Sequence, residues 1–594
     1  MEHIQLTKQL WSSKEAQAID QYLVASGIPS FSLMTQAGTN AWSQCKDRWT
    51  QIQGVVVFCG PGNNGGDGWV FASTCAQEGI PTIVIDISHR PLIGNAALAA
   101  ELARQTLGLE VIEFKQDAVI ESLEETLKLW TSQLAVNLKS LYPPSQLLIV
   151  DAIFGVGQNK PLESPYVELI ETINTHSWSQ DYADIFPLAN TSLSVEMQVN
   201  SLASLESLII ALDVPSGIDP TYGHSLGSCH VLADLTITFI VHKQGLFRGE
   251  GKHAAGQILI EPLGLELLGV KAFNPQIREE QVFTYKPISG NTRYSNNEKS
   301  YLQNTHKGTF GSVTCIGGYE GMGGAIILCS EAASLSGAGK TIVVSQPSTC
   351  QAIMMRSPHI ITETDIEALD SHWLTASTLV VIGPGLGKTD WAESCMHSVF
   401  KQDVPCVFDA DALNLISDNE SIRNHYFQWI SRNSDDKPSS YNKLSSSTSV
   451  MTPHPKEANR LMPDYSNPFK QAMAISELYQ TVCVLKGFGS IIADWSTNTL
   501  LVCETGNSAL SKAGQGDTLA GIIASFLAQG YSTLDATAIA VWAHGKAAQV
   551  WVDSAQLNQS CLSLLPQETT AIAMNALKDM ELSHDSNTHK FHNI

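Results

Sequence analysis

One segment near the C-terminus, residues 507–530, constrains the fold more than any other part of the chain. It reads NSALSKAGQGDTLAGIIASFLAQG, so a polar loop with two glycines runs into an apolar helix predicted to begin at Thr518. Gly514 and Gly516 permit a tight turn that leaves backbone N–H groups uncovered. The helix N-terminus adds unpaired N–H groups and the positive end of the helix dipole. This combination predicts an anion-binding site.

Asp517 lies at the mouth of this predicted site. A carboxylate is unfavourable beside a bound anion unless it has a chemical role or caps the helix. Because aspartate is a favoured N-cap residue, the segment alone leaves two hypotheses open, a functional carboxylate and a helix cap.

Length, composition and charge limit the class of protein. The chain has 594 residues, too many for one hydrophobic core, so about two to four domains are expected. A hydrophobic content of 43% with 16% charged residues is typical of a globular enzyme. The net charge of −23 argues against a surface for nucleic acid or an anionic membrane. We expect a homo-oligomer that acts on small molecules.

Cysteine usage and hydropathy indicate the compartment. The 12 cysteines form no CxxC pair, and Cys59, Cys315 and Cys483 lie inside apolar runs, as buried reduced thiols do. The chain has no apolar run of membrane-spanning length and no signal-peptide pattern at its N-terminus. We therefore expect a cytoplasmic protein.

The N-terminal half follows the pattern of a parallel α/β sheet. Apolar strands alternate with helical stretches and are predicted at 54–59, 82–87, 146–151, 208–213 and 235–241. The first strand runs into GPGNNGGDG and a helix predicted from Trp69 to Gln77, which is the layout of a nucleotide-binding unit. Two later strands run into DAIFGVGQNKP at 151–161 and DVPSGIDPTYG at 213–223.

These three loops are expected to converge, because ligands of parallel sheets bind at the carboxyl ends of the strands. Asn64, Asp151 and Ser216 would then offer oxygen atoms suited to a hard cation. For Asp151 and Asp213 taken singly, helix capping or turn formation is the alternative.

In this order, GPGNNGGDG, DAIFGVG and LDVPSGID resemble the NAD(P)HX epimerase family, also called the YjeF N-terminal domain, over residues 1–265. The resemblance implies a Rossmann-like three-layer domain with potassium bound by Asn64, Asp151 and Ser216. Segments 100–145 and 172–207 are longer than this family usually needs, and the second is expected to be a surface insertion. The implied contacts with the hydrated nucleotide are Asn63, Asn64, Gly65, Gly66, Asp67, Gly155, Val156, Gly157, Gln158, Asn159, Lys160, Pro161 and Asp213.

After a polar join, which places the domain boundary near 265–280, the C-terminal half reads as a second α/β unit. A strand at 312–316 leads into a glycine loop, a helix at 325–336 and a strand at 341–345. The polar, serine-rich stretch 418–449 is predicted to be an exposed or partly disordered insertion. Further apolar strands that end in Gly, Pro or acidic loops are VVIGPGLGK at 380–388, VPCVFDADALNLI at 404–416, VMTPHPKEANRLM at 450–462 and VCVLKGFGSIIAD at 482–494.

KGTFGSVTCIGG, GPGLG, DADALN, TPHPKE and AGQGDTLAG resemble, in order, the ADP-dependent NAD(P)HX dehydratases of ribokinase-like fold, over residues 275–585. Gln515 replaces the Ser, Thr or Met often seen there, and is expected to matter little because its backbone N–H makes the contact. TPHP has a second interpretation as a proline-fixed turn. The implied nucleotide (ADP/AMP) contacts are Lys486, Gly487, Phe488, Gly489, Ser490 and Gly516, and the implied NAD(P)HX contacts are Ala325, Gly385, His454 and the catalytic Asp517.

Together the resemblances imply a bifunctional NAD(P)H-hydrate repair enzyme, an isomerase fused to a lyase. The first half would interconvert R and S hydrates. The second would use ADP to phosphorylate the hydroxyl group of the S hydrate, with Asp517 as general base, and would release AMP and phosphate. Potassium, ADP as co-substrate and magnesium are the implied cofactors.

Two alternatives remain at this point. A ribokinase-like small-molecule kinase would share the GxGD motif, but it explains neither TPHPKE nor the N-terminal half, and it would leave a stable phosphorylated product. The N-terminal half could instead be a non-catalytic nucleotide-binding module, against which the presence of Asn64, Asp151, Asp213 and Ser216 argues.

Overall fold

The computed structural model describes residues 3–114, 120–136, 145–175, 205–264, 281–288, 310–364, 379–432, 449–558 and 563–588. The chain divides into two compact units, Leu10–Glu279 and Met1–Gln9 with Glu280–Ile594. The domains expected at 1–265 and 275–585 differ from this division at the N-terminus. There, the Thr7 side chain lies in the C-terminal unit, where its hydroxyl is 2.7 Å from that of Thr284.

The first unit is built on a parallel sheet with strand order β4-β3-β2-β5-β6-β7-β9. Its elements in chain order are β1 (Ile4–Trp11, of which Leu10 and Trp11 pair with β8), α1 (Ser13–Ala25), α2 (Ser30–Arg48), β2 (Ile52–Cys59), α3 (Asn63–Gln77), β3 (Thr82–Asp86), α4 (Gly94–Arg104), β4 (Leu109–Glu113), α5 (Ile120–Val136), β5 (Ser145–Ala152), α6 (Tyr166–Thr175), β6 (Leu205–Leu212), β7 (Leu235–Phe239), β8 (His242–Lys243), α7 (Gly249–Ala254) and β9 (Gln257–Glu261).

Two hydrophobic cores flank this sheet, because successive side chains of a strand point to opposite faces. Val55 and Val57 of β2 pack in a core with residues of α1 to α4. Val56 and Phe58 pack in the other core with residues of α5 and α6. The unit therefore has three layers, which confirms the expected Rossmann-like α/β class.

Helix α3 begins at Asn63, six residues before the predicted start at Trp69. Gly65, Gly66 and Gly68 of GPGNNGGDG thus lie in the first turns of the helix, where close packing requires them. A Cβ at Gly65 would lie 1.9 Å from the Gly60 carbonyl oxygen, and one at Gly66 would lie 2.5 Å from Met34 Cε. The prediction of a loop is confirmed for 60–62 and was wrong for 63–68, since glycine also marks close approach inside a helix.

The second unit has strand order β13-β12-β11-β14-β15-β16-β17-β18-β19-β10-β1, with parallel pairs from β13 to β17 and antiparallel pairs on both sides of β18. Its further elements are β10 (Val282–Pro287), β11 (Ser312–Ile316), α8 (Gly323–Leu335), β12 (Lys340–Val344), α9 (Pro347–Arg356), β13 (Ile361–Glu363), β14 (Leu379–Ile382), α10 (Asp390–Lys401), β15 (Cys406–Phe408), α11 (Asp411–Asp418), α12 (Glu420–Arg432), β16 (Val450–Met451), α13 (Pro455–Leu461), α14 (Pro468–Tyr479), β17 (Val482–Leu485), β18 (Ile491–Asp494), β19 (Thr499–Val502), α15 (Gln515–Ala528), α16 (Thr533–Asn558) and α17 (Pro566–Thr588).

Helix α15 occupies the core of this unit, with twelve of its residues buried. It packs with α8 and the central strands, as the shared buried cluster of Ile326, Val381 and Ile523 shows. Because the helix is buried along most of its length, its position is fixed. Its N-terminus therefore offers a well-positioned set of N–H groups at the carboxyl ends of the strands.

The expected insertions have different outcomes. Residues 420–432 form helix α12, whose Ile422, Tyr426 and Trp429 are buried, so the prediction of an exposed segment was wrong there. The rest of that stretch, 433–448, lies outside the described residues, as do 115–119, 137–144 and 176–204 of the two N-terminal insertions.

The predicted burial of the Cys59, Cys315 and Cys483 thiols is confirmed. In the described part of the chain, no helix is both long and apolar enough to cross a membrane.

Candidate active sites

A cavity of about 1110 Å³ opens at the carboxyl ends of the strands of the first unit. Most of the residues predicted to contact the hydrated nucleotide line it: Asn63, Asn64, Asp67, Gly155, Val156, Gly157, Gln158, Asn159, Lys160, Pro161 and Asp213. Gly65 and Gly66 are the exceptions. They are buried against neighbouring atoms, so in the structure they shape helix α3 rather than line the cavity.

Asn64, Asp151 and Ser216 lie together beneath this cavity. The Ser216 hydroxyl donates to Asp151 Oδ1 at 2.7 Å, and the Ser216 N–H donates to Asp151 Oδ2 at 2.8 Å. Asn64 Nδ2 donates to the Phe154 carbonyl oxygen at 2.9 Å. Asn64 Oδ1 is buried and accepts no hydrogen bond from the described residues. The three predicted cation ligands are thus neighbours, and one of their oxygens is free to bind a ligand.

Burial dominates the electrostatics of Asp151. It raises the pKa of this carboxyl group to about 6, against the opposing effect of the hydrogen bonds from Ser216. A cation beside the carboxylate would favour the ionised form and reverse this shift.

Asp213 sits in the cavity wall with a partner that the sequence analysis missed. Its carboxylate accepts a hydrogen bond from Val156 N–H at 2.9 Å and forms a buried ion pair with the Lys243 ammonium. Lys243 is 2% exposed and lines the same cavity. The sequence signal for Lys243 was a lysine among the apolar residues of FIVHKQGLF.

Two further carboxyl groups surround this ion pair. Burial and the negative charge of Asp213 raise the pKa of both Asp67 and Asp20. Asp20 lines the cavity and was also missed, since nothing in helix α1 points to it. The cavity therefore brings the Asp213–Lys243 ion pair together with two carboxyl groups whose pKa is raised, which suits proton exchange with a bound hydroxyl group.

In the second unit, Asp517 occupies the first turn of helix α15 and does not cap it. The helix begins at Gln515, three residues before the predicted start, and its N-cap is Gly514 in the left-handed conformation with φ of 95°. No side chain in the described part of the chain caps this helix. The helix-cap hypothesis for Asp517 is therefore wrong, and the Gly516 and Asp517 N–H groups of the first turn have no acceptor among the described residues.

The environment of Asp517 is that of a base. Burial, followed by the negative charge of Asp409, raises its pKa to about 7, while the Lys486 ammonium acts in the opposite direction. A carboxyl group with a pKa near 7 can accept a proton at physiological pH and still be regenerated.

The half-buried Lys486 and the buried Asp409 form an ion pair beside the glycine loop, with Nζ and Oδ1 2.7 Å apart. Thr452 also donates to that oxygen at 2.7 Å. A Cβ at Gly516 would lie only 3.3 Å from Lys486 Nζ, so a side chain there would crowd the ammonium group. Asp409, the first acid of DADALN, was not among the predicted site residues, although the motif was recognised.

The remaining predicted residues border the same strand ends. Ala325 and Gly385 are neighbours, because a Cβ at Gly385 would meet the Ala325 Cβ at 3.2 Å. His454 is the N-cap of α13, and its Nδ1 accepts from the N–H groups of Lys456 and Glu457. Burial, with the nearby charge of Lys486, lowers the pKa of His454. His454 therefore has the structural role expected of a turn in TPHP, and it also lies close enough to Lys486 to belong to the same candidate site.

The loop that follows Lys486 contains the other predicted nucleotide contacts of this segment. In it, the Gly487 N–H lies 3.2 Å from the Ser490 hydroxyl, and Gly489 adopts a φ of 79°. Phe488 is 36% exposed. The predicted nucleotide contacts, Lys486, Gly487, Phe488, Gly489 and Ser490, therefore form one turn between β17 and β18.

Gln515 has a larger role in the structure than the sequence analysis expected. Its side chain is buried and its Oε1 accepts from the Thr569 hydroxyl at 3.0 Å, while its Nε2 donates to the Leu564 carbonyl oxygen at 3.1 Å. His544 Nε2 lies 3.0 Å from the same Oε1. Burial lowers the pKa of His544 to about 4, so this imidazole is neutral and donates its Nε2–H. The network ties the glycine loop to helices α16 and α17.

We expect Gln515→Met to lower the free energy of unfolding by about 1–3 kcal/mol, because the buried His544 N–H loses its acceptor. Denaturant titration of the whole chain measures this. Gln428→Met, on the exposed side of α12, is the matched control and should change stability little. Equal effects of the two substitutions would show that the Gln515 network does not stabilise the loop.

Comparisons with known proteins cover both halves of the chain. A family profile described as NAD(P)H-hydrate dehydratase matches residues 313–569, and one described as YjeF-related protein N-terminus matches residues 30–245. The bifunctional NAD(P)H-hydrate repair enzyme Nnr of Coxiella burnetii is 31% identical over 548 residues, 91% of this chain and 94% of the relative. The Escherichia coli enzyme of the same name is 30% identical and covers 88% and 86%.

A solved structure, the ADP/ATP-dependent NAD(P)H-hydrate dehydratase from Bacillus subtilis co-crystallized with ATP/Mg2+, is 28% identical and covers 48% of this chain and 95% of its own, with a TM-score of 0.39. The two profiles fall on the two units in the predicted order, and the Coxiella relative is similar along nearly its whole length. The chain therefore belongs to the family of bifunctional NAD(P)H-hydrate repair enzymes.

Proposed function

We propose that the chain restores hydrated NADH and NADPH in two steps, with an epimerase in residues 1–265 and a dehydratase in residues 275–585. The observation that carries this proposal is Asp517, a carboxyl group with a pKa raised to about 7 beside an uncapped helix N-terminus and the Lys486 ammonium. A base, anion-binding N–H groups and a cation next to one another are what phosphoryl transfer to a hydroxyl group needs.

In the dehydratase step, Asp517 accepts the proton of the C6 hydroxyl group of the S hydrate. The hydroxyl oxygen attacks the terminal phosphoryl group of ADP, and AMP leaves. The C6–O bond then breaks with the electron pair going to phosphate, the ring nitrogen lone pair assists, and loss of the C5 proton restores the dihydronicotinamide. The conversion of hydroxide into phosphate matters because phosphate is a far better leaving group.

The nucleotide would be held by the N–H groups around Gly516, by Lys486 and by the turn at 487–490. Ala325, Gly385 and His454 would contact the hydrated nicotinamide nucleotide. The carboxylates of Asp409 and Asp411 lie near enough to Asp517 to raise its pKa, and such acidic surroundings fit magnesium carried in with the phosphates. Magnesium would neutralise charge on the transferred phosphoryl group.

In the epimerase step, Asp213 and Lys243 are proposed as the proton-exchanging pair. They are buried at the cavity wall, next to the Asp67 and Asp20 carboxyl groups. Asn63, Asn64 and residues 155–161 would bind the hydrated nucleotide around them. The pair could take the proton of the C6 hydroxyl group while the C6–N1 bond breaks with its electron pair going to N1, which is protonated, so that an aldehyde forms at C6. Return of N1 to either face of this aldehyde, with the protons going back, would give the R or the S hydrate.

Potassium is proposed to bind next to Asn64, Asp151 and Ser216. The buried, unpaired Asn64 Oδ1 and the carboxylate of Asp151 fit a hard monovalent cation, which prefers oxygen ligands. Bound there, it would supply positive charge at the floor of the cavity. Asp151, hydrogen-bonded to Ser216, would hold the loop at 153–156 in place.

This proposal predicts a pH-dependent effect of potassium on stability. Burial raises the pKa of Asp151 from its ordinary 3.8 to about 6. Without bound potassium, the free energy of unfolding therefore falls by about 3 kcal/mol as the pH rises through that interval, because the buried carboxyl group ionises. Potassium favours the ionised carboxylate, so it should raise the Tm of the first transition more at about pH 7.5 than at about pH 4.5. Differential scanning calorimetry in potassium and in lithium chloride measures this.

Asp151→Asn is the control for the potassium effect, since it removes the titrating charge and keeps the size of the side chain. The difference between potassium and lithium should then shrink. A potassium effect that is independent of pH, or that persists in Asp151→Asn, would contradict this site.

The reaction class is tested by product analysis. Purified S-NADHX is incubated with the chain and either ADP or ATP, and the return of reduced-nicotinamide absorbance is followed together with the release of inorganic phosphate. The proposal expects NADH and phosphate in equal amounts, with ADP giving the higher rate. A stable phosphorylated hydrate without phosphate release would instead identify a small-molecule kinase.

We further propose that the protein is cytoplasmic and forms a homo-oligomer. Size-exclusion chromatography with light scattering measures the oligomeric state.

A further inference from the structure

One end of the cavity in the first unit has no part in the proposed proton exchange. His89 and Arg90, which follow β3, line this end together with Phe154 and Tyr166. The His89 and Tyr166 rings have centroids 5.5 Å apart, and those of Tyr166 and Phe154 are 5.1 Å apart. The Arg90 charge acts on the Tyr166 hydroxyl, so the guanidinium lies near these rings. We call this set, His89, Arg90, Phe154 and Tyr166, the β3 wall.

His89 has an unmet hydrogen-bonding capacity at this wall. Both of its ring nitrogens are shielded from solvent, and neither has a partner among the described residues. Buried polar atoms are rarely left unpaired in native proteins, because the loss of a hydrogen bond is costly. A ligand with oxygen atoms in this part of the cavity would supply the missing partner.

Asp86 at the end of β3 is not available for a ligand. It is buried, its Oδ2 accepts from Arg104 Nη2 at 2.7 Å, and its Oδ1 accepts from Ser88. In dinucleotide-binding sheets, an acid at the end of this strand accepts a hydrogen bond from the adenosine 2′-hydroxyl, whereas an arginine accommodates a 2′-phosphate. Here the acid is engaged and does not line the cavity, while Arg90 does.

The strand order places the wall at a suitable distance from the reacting end. β3 and β6 are separated by β2 and β5, so their ends are about 14 Å apart at the usual spacing of strands. The N-terminus of helix α3 lies between them, after β2, and no side chain of the described residues caps it. A dinucleotide could thus extend from Asp213, past the N–H groups of α3 at its pyrophosphate, to the β3 wall.

We propose that the β3 wall binds the adenosine 2′-phosphate, so that the epimerase half prefers hydrated NADPH to hydrated NADH. Arg90 pairs with the phosphate, and His89 donates one hydrogen bond to it or to the ribose. The aromatic rings of Tyr166 and Phe154 cover the adenosine. This inference rests on the proposed epimerase function and adds the identity of its preferred substrate.

The test compares two substrates in one protein. Epimerisation of R-NADPHX and of R-NADHX is measured with excess ADP, so that the dehydratase half removes the S form and reports the rate. In Arg90→Gln, kcat/KM for R-NADPHX should fall by roughly 10- to 100-fold, the worth of a charged hydrogen bond. For R-NADHX the change should be less than about threefold. Arg48→Gln, at the end of α2 and outside the cavity lining, is the matched control and should alter neither substrate.

The outcomes separate this inference from the function on which it rests. A wild-type chain with equal kcat/KM for both R hydrates, or an Arg90→Gln variant that loses both equally, would overturn the 2′-phosphate site. A wild-type chain that epimerises neither substrate would instead refute the epimerase function. The thermal transition of the first unit, followed by calorimetry, reports whether each variant is folded.

Discussion

Asp517→Asn is expected to lower the rate of dehydration by roughly 10²- to 10⁴-fold, the usual contribution of a positioned acid–base group. Asparagine keeps the size of the side chain and part of its hydrogen bonding but accepts no proton from the substrate hydroxyl group. The affinity for ADP should change little, because the loop N–H groups and Lys486 remain. Steady-state rates with S-NADHX, together with equilibrium binding of ADP, measure both quantities.

The structure also predicts how the pH profile of this reaction responds. Because the pKa of Asp517 is raised to about 7, kcat/KM in the wild-type chain should rise with pH through that value as the carboxylate forms. Asp517→Asn should remove this rise. Since burial penalises the charged form of Asp517, the neutral asparagine should not reduce thermal stability. Near-normal turnover in Asp517→Asn would rule out Asp517 as the general base.

The paired substitution Asp213→Asn with Lys243→Met should abolish most epimerisation, again by roughly 10²- to 10⁴-fold. Both charges are removed together because a single substitution would leave the other charge buried and unpaired, at a cost of about 3–5 kcal/mol. Dehydration of the S hydrate should persist, since its residues lie in the second unit. Interconversion of R-NADHX and S-NADHX, followed by chiral separation over time, measures the loss.

A second measurement separates loss of chemistry from loss of folding in this variant. The cavity should still bind the hydrated nucleotide, since Asn63 and residues 155–161 are unchanged, and the thermal transition of the first unit should remain. Epimerisation at the wild-type rate would show that Asp213 and Lys243 are not the proton-exchanging pair. A parallel loss of S-hydrate dehydration would show that the variant acts through unfolding.

The order of strands and loops could be predicted from the sequence because apolar runs and glycine loops are local signals. Helix starts could not, since Gly66 and Gly516 lie in first turns where a side chain would collide with Met34 and would crowd Lys486, respectively. A glycine selected by tertiary contact looks the same in the sequence as a glycine in a turn. Helix α12 is different, because Ile422, Tyr426 and Trp429 recur at helical spacing and predict a buried face, although polar neighbours obscure it.

The site residues likewise divide into those with a local sequence signal and those that depend on tertiary contact. Asp517 and Asp213 stand in recognisable motifs, so they could be proposed from the sequence. Lys243 and Asp20 come from distant segments and acquire a role only where the fold brings them beside Asp213. Likewise, the buried network of Gln515 with His544 and Thr569 joins three helices, and no local pattern announces it.

The most direct test of two activities in one chain begins with pure R-NADHX and ADP. The wild-type chain should convert it completely to NADH, with AMP and phosphate released in equal amounts. The variant with Asp213→Asn and Lys243→Met should be limited by its slowed epimerisation, and Asp517→Asn should bring R-NADHX to a mixture with the S hydrate while NADH forms roughly 10²- to 10⁴-fold more slowly. Conversion of R-NADHX by the wild-type chain no faster than by the paired variant would contradict an epimerase and a dehydratase acting in sequence.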